Sequence, residues 1–277
     1  MPVRIVQSPH NARLKELRRI LGSPGQNGTA RAGIEGPNLV AEAVRAGLAI
    51  ECVFVAQDAQ RLLEGLALPA ETEVLLLPRA VLEPALTTET PQPIAALVKP
   101  QQWNWEDVLA ARGNARALVV VLAGVQDPGN LGTILRSAEA FGATGVVCLP
   151  GTVSAWNLKA VRASAGSIFR VPLLSESAEE CFRQLRKNDV TLWATATRGA
   201  KEVDRVDLSR PVALIIGNEG QGVDRELAAT ADGVLTIPCP GPVESLNAAV
   251  AASVLLYEAA RQRGAAPALK PVARSRQ

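Results

Sequence analysis

The stretch LIIGNEGQGV at residues 214–223 decides the fold, because an apolar run ends there in a loop rich in glycine. Two further stretches share this layout. DPGNLGTILR at 127–136 follows the apolar run ALVVVLAGV at 117–125, and IPCPGPVESLNAA at 237–249 continues the run GVLTIP. Each pattern predicts a strand, a loop with polar side chains and then a helix. Because the carboxyl ends of parallel strands meet at one edge of an open α/β sheet, the sequence predicts a single ligand site built from three loops.

Strands and helices alternate on both sides of these loops. The continuous apolar run at 117–125 is typical of a buried parallel strand. Strands that alternate with helices predict a parallel sheet covered on both faces, so the fold class is α/β. The first 98 residues alternate in the same way and predict a smaller α/β domain of their own. The predicted divisions are a first domain at 1–98, a linker with one short helix at 99–115, a second domain at 116–265 and a basic tail at 266–277.

Composition limits the class of protein. The chain has 277 residues, of which 48% are hydrophobic and 20% charged, as in globular proteins of one or two domains. No apolar run reaches the roughly 18 residues that span a bilayer, and the first residues do not resemble a signal peptide. We therefore expect a cytoplasmic protein with no membrane contact. Four scattered cysteines and a single histidine favour buried free thiols and no metal site.

Basic residues are concentrated at the two ends of the chain. The first 35 residues hold six Lys or Arg against two Glu, and the chain after Glu258 holds five Lys or Arg and no acid. This distribution favours a polyanionic partner, although a solvated helix face and a disordered tail would have the same composition. Trp103 and Trp105 in the linker could stack on nucleobases, but we favour the alternative that they hold the linker against a domain.

The loop GNEGQG has neither the GxGxxG spacing of a dinucleotide fingerprint nor the GKT or GKS ending of a P-loop. Its glycines (Gly217, Gly220 and Gly222) would still let backbone amides approach a ligand. The pattern predicts a nucleotide-like or adenosine-like ligand, and the alternative is a tight turn with no ligand. A carboxylate in such a loop, Glu219, would bind a hydroxyl group or orient a nearby cation.

Two helices begin next to these loops. Asn130 is expected at the start of one helix, where its side chain can cap backbone amides. Arg136 follows almost two turns later and could lean back toward the pocket, or pair with Glu139 or Glu219. The other helix is predicted over 246–262 and is apolar almost all round, which indicates burial.

Taken in order, these motifs closely resemble the SpoU/TrmH family, the RNA ribose 2'-O-methyltransferases of the SPOUT class. The resemblance rests on N-x-G-x-x-x-R, then GNEGxG, then IPxxGxxxSLN leading into a helix that ends LYEA. The stretch KAVRASAGSIFRVPL at 159–173 also looks like this family. NARLKELRRIL, IEGPNLVAEAV and PQPIAALV resemble the ribosomal-protein-like substrate-binding domain that often precedes the catalytic domain. The resemblance covers nearly the whole chain.

The resemblance implies a deep trefoil knot in the carboxy-terminal parallel sheet, with knotted loops at about 195–199, 217–222 and 237–246. These loops would bind S-adenosylmethionine. Knots are rare in proteins, so the family resemblance alone supports this expectation. The positions that match cofactor contacts are Gly217, Ile237 and Leu246, with Thr195, Ala196, Asn218 and Pro238 nearby. The positions that match the catalytic set are Asn130, Arg136, Glu219, Ser245 and Asn247.

The implied reaction fits these side chains. A ribose 2'-hydroxyl must lose its proton as it attacks a sulfonium-bound methyl carbon, and no metal is needed. The family's mechanism casts Arg136 as the proton acceptor, but arginine is nearly always charged. We therefore favour a role for Arg136 in binding a phosphate or the developing alkoxide, and leave the base open. Asn130 and Glu219 would hold the arginine and the ribose, and Ser245 and Asn247 would line the methyl-transfer side.

The resemblance also implies the partners. RNA is expected because the reaction needs a 2'-hydroxyl, and basic ends attract phosphates. A full substrate-binding domain favours ribosomal RNA, most simply 23S rRNA, over transfer RNA, and family members are homodimers with the site close to the interface. The alternatives are a tRNA ribose methyltransferase, a related enzyme that methylates a nucleobase, and a non-catalytic knotted RNA-binding protein of ribosome assembly. The last would be favoured by loss of Asn130, Arg136 or Glu219, and all three are present.

Overall fold

The computed structural model describes residues 2–23, 31–110, 116–197 and 199–264. The amino-terminal half of this chain forms a five-stranded mixed sheet. Its strands are β1 (Val3–Ile5), β2 (Ala32–Glu35), β3 (Ala49–Ala56), β4 (Glu73–Leu77) and β5 (Ile94–Lys99), in the order β1-β4-β3-β5-β2. Strands β1, β4 and β3 are parallel, whereas β5 is antiparallel to both β3 and β2. The helices of this half are α1 (Ala12–Gly22), α2 (Pro37–Arg45) and α3 (Arg79–Leu82).

The local sequence explains the first helix. The Asn11 side chain accepts hydrogen bonds from the amides of Arg13 and Leu14, which satisfies free donors at the start of α1. Four apolar side chains at helical spacing are buried on one face of the helix: Leu14, Leu17, Ile20 and Leu21. The sequence predicts a helix at 10–21 and strands at IECVFVA, EVLLLP and PIAALV, and α1, β3, β4 and β5 confirm these four elements. The sequence also predicts a helix after β3, up to about residue 66, but the structure has a 3-10 segment there, Gln57–Leu63. Strands β1 and β2 are not predicted from the sequence.

The carboxy-terminal half forms a seven-stranded sheet in which every recorded pairing is parallel. Its strands are β6 (Leu118–Ala123), β7 (Gly145–Cys148), β8 (Leu173–Ser175), β9 (Thr191–Thr195), β10 (Lys201–Glu202), β11 (Val212–Gly217) and β12 (Gly233–Thr236). Their order is β10-β12-β9-β11-β6-β7-β8. The predicted α/β class with a parallel sheet is confirmed, although β8 and β10 were not predicted because each is only two or three residues long.

Helices cover both faces of this sheet. They are α4 (Trp105–Leu109), α5 (Pro128–Ala140), α6 (Leu158–Ala163), α7 (Ala178–Lys187), α8 (Arg225–Ala229) and α9 (Ala248–Gln262). Alternate residues of β6 face two different cores. Val120 belongs to the core that contains the buried residues of α5 and α9. Val119 and Val121 belong to the core that contains Phe182 of α7. This alternation is why the strand reads as a continuous apolar run.

The described part of the segment between the two sheets, residues 100–110, packs against the carboxy-terminal half. Asn104 and Asp107 form a capping box at the start of α4, each accepting a hydrogen bond from the other's amide. Val108 is fully buried and lies so close to Gly145 that a Cβ at that glycine would come within 2.8 Å of it. Trp105 packs against the same core, as expected for a tryptophan that holds the linker in place. The predicted linker residues 111–115 lie outside the described residues.

An ion-pair network joins the two sheets. The Arg170 guanidinium donates to Glu139 at 2.5 and 3.0 Å and to Glu42 of α2 at 2.7 Å. Hydrogen bonds to Glu139 raise the pKa of Arg170. One buried apolar cluster also runs through both halves of the chain. The two sheets therefore form a continuous packed unit.

Three of the four cysteines are buried, as the sequence predicts: Cys52, Cys148 and Cys181. Burial raises the pKa of each of these thiols to about 12, so all three are protonated at neutral pH. The prediction was wrong for Cys239, which is exposed in the loop after β12 because that loop lies on the surface. None of the helices in the described ranges is long and apolar enough to cross a membrane.

Gly132 on α5 provides a test of the packing between α5 and α6. A Cβ at this position would overlap the carbonyl oxygen of Ala160 and lie 2.6 Å from the Cβ of Ala163. We expect Gly132→Ala to lower the free energy of unfolding by about 1–3 kcal/mol through overpacking. Gly22→Ala is the matched control, because nothing lies within 4 Å of a Cβ there. The measurement is chemical denaturation of both variants, and equal stabilities would contradict this account of the α5–α6 contact.

Candidate active site

The strand order brings the predicted loops to one edge of the carboxy-terminal sheet. Strands β12, β9, β11 and β6 are neighbours in that order, and all are parallel. The first loop (124–127) follows β6, the second loop (218–224) follows β11 and the third loop (237–247) follows β12. The shorter segment after β9 begins at Ala196. The three loops therefore meet at one edge of the sheet, at the carboxyl ends of these strands, and this edge is the candidate site.

The Glu219 carboxylate connects the second loop to the first. One oxygen accepts from the amide of Gln126 at 3.1 Å, and the other accepts from the amide of Asp127 and the side chain of Asn130, both at 3.0 Å. Burial tends to raise the pKa of Glu219, but these three hydrogen bonds outweigh it and leave the pKa below its ordinary value. Glu219 is therefore ionised at neutral pH, and its oxygens bind donors of this chain.

Asn130 does not cap its helix, which corrects the prediction. Helix α5 begins earlier, at Pro128, because Asp127 is its N-cap and accepts from the amides of Gly129 and Asn130 at 2.5 and 3.0 Å. A proline in the first turn after an Asp N-cap is a recognisable helix start. The Asn130 side chain is thereby available for the site, and it both donates to Glu219 and accepts from Asn247.

Asn247 connects the third loop to the same group. Its oxygen caps α9 by accepting from the amides of Ala249 and Val250, and its nitrogen donates to Asn130 at 3.0 Å. Helix α9 therefore begins at Ala248, two residues later than predicted. Ser245 and Leu246 lie in the third loop; Ser245 is exposed and Leu246 is half-buried. Glu219, Asn130 and Asn247 form one hydrogen-bonded chain across all three loops.

Arg136 lies on the exposed side of α5 and takes no part in this chain of hydrogen bonds. The salt bridges considered from the sequence do not form, because Glu139 binds Arg170 and Glu219 binds backbone amides. Among the residues that the structure describes, the Arg136 guanidinium has no hydrogen bond or ion pair. Its charge is therefore available to an anion from outside the chain.

Gly217 is required by the second loop itself. A Cβ there would overlap the backbone of Gly222 and Val223. Asn218 closes the loop through backbone hydrogen bonds of 3.0 and 2.9 Å with Gly222, and its side chain donates to the carbonyl of Gly124 at 2.9 Å. A substitution at Gly217 would thus deform the loop before any ligand is bound. From the sequence, this role could not be distinguished from close approach to a ligand.

Four other predicted cofactor positions surround the same edge. The Thr195 hydroxyl donates to the carbonyl of Ile215 at 2.9 Å, and the amide of Ala196 donates to Leu235 at 2.9 Å. Ile237 is half-buried against the core, and Pro238 is exposed. The structure therefore brings these residues to one edge. The Thr195 hydroxyl and the Ala196 amide are hydrogen-bonded within the sheet.

Sequence reasoning missed two supporting residues. The Thr152 hydroxyl donates to the carbonyl of Leu122 at 2.9 Å and accepts from the amide of Gly124 at 3.1 Å, which holds the first loop in place. The Lys159 ammonium pairs with Asp127 at 3.0 Å. The pKa of Asp127 is lowered by this hydrogen bond first and by the amide of Asn130 next. Neither residue belongs to the three motifs. The one sequence signal near them was the Asp-Pro pair at the start of α5. No three His, Cys, Asp or Glu side chains of the described ranges are grouped as a metal site would require.

Comparison with known proteins identifies the family. The model of the SpoU rRNA Methylase family matches residues 117–257, and the model of the MRM3-like substrate binding domain matches residues 11–96. This chain belongs to the SpoU rRNA methylase family. A relative in Bacillus subtilis (strain 168), the 23S rRNA (guanosine(2553)-2'-O)-methyltransferase RlmP, is 32% identical over 256 residues, which are 91% of this chain and 97% of the relative. The predicted family is confirmed.

Solved structures of SpoU proteins have the same fold. The AdoMet-bound rRNA methyltransferase from Sinorhizobium meliloti matches with a TM-score of 0.81 and 31% identity, over 94% of this chain and 98% of that chain. The SpoU methyltransferase AviRb from Streptomyces viridochromogenes, in complex with AdoMet, matches with a TM-score of 0.80 and 28% identity, over 92% and 98%. Both are similar along nearly their whole length, so the likeness includes both sheets.

Glu219→Gln tests the connection between the loops. An amide in place of the carboxylate directs one N–H group toward donors, so we expect a loss of about 1 kcal/mol in the free energy of unfolding. Hydrogen exchange at the amides of Gln126 and Asp127 should become faster. Glu64→Gln is the control, because Glu64 is exposed and has no ion pair within the described residues. Unchanged exchange at both amides would contradict the bonding described for Glu219.

Comparison of the parent with Glu219→Gln also predicts how the free energy of unfolding depends on pH, with a definite sign. The folded pKa of Glu219 lies below the ordinary value of 4.5, so the carboxylate stabilises the folded state fully above that pH. The stability difference between the parent and Glu219→Gln should be constant from neutral pH down to about 5 and decrease as the pH falls further. A difference that grew on acidification would show that the folded pKa is raised instead.

Proposed function

We propose that this protein transfers a methyl group from S-adenosylmethionine to a ribose 2'-oxygen of RNA, with 23S ribosomal RNA as its substrate. The observation that carries the proposal is the hydrogen-bonded chain of Glu219, Asn130 and Asn247 in a member of the SpoU rRNA methylase family. A relative of similar length is named as a 23S rRNA guanosine 2'-O-methyltransferase. A further relative, RlmB of Xanthomonas campestris pv. campestris, carries a similar name and is 43% identical over 157 residues, 56% of this chain and 62% of its own.

The loop edge fits the cofactor. S-adenosylmethionine supplies a methyl group bound to a positively charged sulfur. The half-buried side chains of Ile237 and Leu246 offer apolar contacts for its adenine. The second loop, held compact by Gly217 and Asn218, presents backbone instead of bulky side chains. Thr195, Ala196 and Pro238 would complete the cofactor wall. The S. meliloti and S. viridochromogenes relatives are described with AdoMet bound.

The chain's own residues divide the work of the reaction. As the ribose 2'-oxygen bonds the methyl carbon, the carbon–sulfur bond of the cofactor would break to leave S-adenosylhomocysteine, and the hydroxyl proton would pass to water. The Arg136 guanidinium has no partner among the described residues and would bind an RNA phosphate or the developing alkoxide. Asn130 and Asn247, fixed by their mutual hydrogen bond, would position the ribose, with the exposed Ser245 hydroxyl beside them. Holding reactants in line can contribute about 7–11 kcal/mol in favourable cases, so a weak base suffices.

The strand order supports the trefoil knot. Strand β11 lies between β6 and β9, and β12 lies on the far side of β9, although β11 and β12 are consecutive in the chain. We infer that the loops at about 195–199, 217–222 and 237–246 thread through one another in this region.

The domain division at 99–115 is supported by the sheets, because one ends at Lys99 and the other begins at Leu118. The proposed basic tail at 266–277 lies outside the described residues.

An exposed apolar stripe on α9 supports a homodimer. The sequence predicted that this helix is buried all round, which was wrong: Val250, Val254 and Tyr257 are 49%, 37% and 55% exposed. Their spacing places them on one helix face. Exposed apolar stripes of this kind are typical of protein interfaces. Because the N-cap of α9 is Asn247, which belongs to the site, a second copy seated on this face would lie beside the site.

Several of the amino-terminal basic residues form salt bridges within the chain, so fewer of them can bind RNA than their number suggests. Arg4, Arg13 and Arg31 form salt bridges with Glu73, Glu16 and Glu51. In the described part of the chain, Lys15 and Arg18 on α1 have no such pairing. We propose that these two side chains contact RNA phosphates, and that the protein acts in the cytoplasm.

The experiment that tests the function is incubation with labelled S-adenosylmethionine and unmodified total RNA, followed by nucleoside mass spectrometry. We expect a 2'-O-methylnucleoside derived from 23S rRNA. Label on a nucleobase would keep the cofactor but overturn the assigned reaction. Absence of label with ribosomal particles and transfer RNA included would overturn the enzymatic function.

Arg136→Ala tests the proposed anion-binding role. We expect methyl transfer to fall at least about 100-fold, because one charged contact to the transition state is removed, while the affinity for S-adenosylmethionine stays unchanged. Arg183→Ala is the control, since Arg183 is also an exposed helical arginine and its ion pair within the described residues is with Glu180. Turnover and cofactor binding by calorimetry are measured together. Near-parental turnover of Arg136→Ala would show that the assignment is wrong.

Val254→Asp tests the proposed dimer. A charge in the middle of the apolar stripe should prevent association, because it would be buried without a partner. Sedimentation velocity should show a dimer for the parent and a monomer for this variant. Val3→Asp is the control at an exposed valine on β1. A parent that sediments as a monomer would refute the proposal.

A further inference from the structure

A second concave site lies beside the candidate active site. It is a cavity of about 710 Å³ at the carboxyl ends of β7 and β8. One wall is the loop at 150–156, and another is the linker segment at 101–103. None of the predicted catalytic or cofactor residues lines it. A volume of this size can hold a small organic ligand.

Aromatic side chains line this cavity from separate parts of the chain. Trp103 comes from the linker and Trp156 from the loop after β7, and both are half-buried. Trp156 stacks on Phe169, with ring centroids 6.1 Å apart and an interplanar angle of 30°. Half-exposed aromatic faces of this kind are how proteins hold unpaired nucleobases by stacking. Whereas Trp105 holds the linker against the core, Trp103 faces a cavity.

The polar lining favours one kind of base. Glu176 is the acidic side chain among the described lining residues, and its carboxylate has no hydrogen bond there. A carboxylate only accepts hydrogen bonds, so a ligand that it binds must offer N–H or O–H donors. Guanine presents two adjacent donors, N1–H and the N2 amine, which match the two oxygens of a carboxylate. No Lys or Arg belongs to the described lining, which disfavours a phosphate.

The cavity is rigidly connected to the candidate active site. Its wall residue Thr152 bonds Leu122 and Gly124, and its wall residue Val153 donates to the carbonyl of Val125 at 2.9 Å. The next amides in the first loop, those of Gln126 and Asp127, bind Glu219. A base held in the cavity would therefore lie within the same framework as the methyl-transfer residues.

We propose that this cavity binds a guanine base of the RNA substrate, stacked on Trp103 or Trp156 and read by Glu176. The inference rests on the proposed function, because it takes the ligand to be part of the RNA that is methylated. Glu176 is a specificity residue in this account and has no part in the methyl transfer.

The direct test uses guanosine 5'-monophosphate and inosine 5'-monophosphate as probes of the full chain, followed by tryptophan fluorescence. Inosine lacks the N2 amine, so it loses one charge-assisted hydrogen bond. We expect saturable quenching by the guanosine nucleotide and at least about tenfold weaker binding of the inosine nucleotide. Glu176→Gln should abolish this preference. Glu179→Gln, a change of an exposed glutamate outside the cavity, should keep it.

Three results would overturn the proposal: no saturable quenching, equal binding of the two nucleotides by the parent, or a preference that survives in Glu176→Gln. Methyl transfer to RNA is measured on the same proteins to separate this inference from the proposed function. Glu176→Gln should raise the KM for RNA about tenfold with kcat and cofactor affinity unchanged. Guanosine preference without any methyl transfer would refute the function and leave a guanine site. Methyl transfer with an unchanged KM in Glu176→Gln would refute the site alone.

Discussion

The Glu219 carboxylate is the interaction on which the rest of the site depends. A carboxylate is an acceptor only, and here it receives two backbone amides of the first loop and the side chain of Asn130. Those amides lie at the start of α5, where they would otherwise lack a partner in the protein. Because Asn130 also accepts from Asn247, the position of α9 follows from the same carboxylate. One carboxylate thus fixes three loops that are distant in the sequence.

The parallel sheet makes this arrangement possible. Strands that run in the same direction end at one edge, so their loops can bond to each other across the sheet. The close contact of Gly217 with the backbone of Gly222 and Val223 keeps the second loop compact enough to reach the first. At the opposite edge, the Arg263 guanidinium bonds the carbonyls of Ala117 and Arg210 before β6 and β11. Arg263, one of the five basic residues counted after Glu258, therefore has a structural role.

Much of the fold could be predicted because long buried strands and capped helices leave clear patterns. The apolar runs of β6 and β11 can be recognised as strands from the sequence, without knowing which strands they pair with. The short strands β8 and β10 could not be predicted, since two or three residues carry no periodicity and depend on pairing with β7 and β12. The role of Asn130 was predicted wrongly, and the reason is similar. A side chain near a helix start can cap it or face a loop, and only the neighbouring Asp127 and the distant Glu219 decide between these roles.

By itself the sequence determined the α/β class, the family and the three loops of the site, because these are encoded in local periodicity and in short ordered motifs. The tertiary structure alone decided the partner of each polar group. It engaged Glu139 with Arg170 and left Arg136 without a partner among the described residues. It exposed one face of the apolar helix α9. It also placed Trp103 in the wall of the cavity and Trp105 against the core. Hydrogen bonds and burial depend on which distant segments meet, and the order of strands in the sheet settles that.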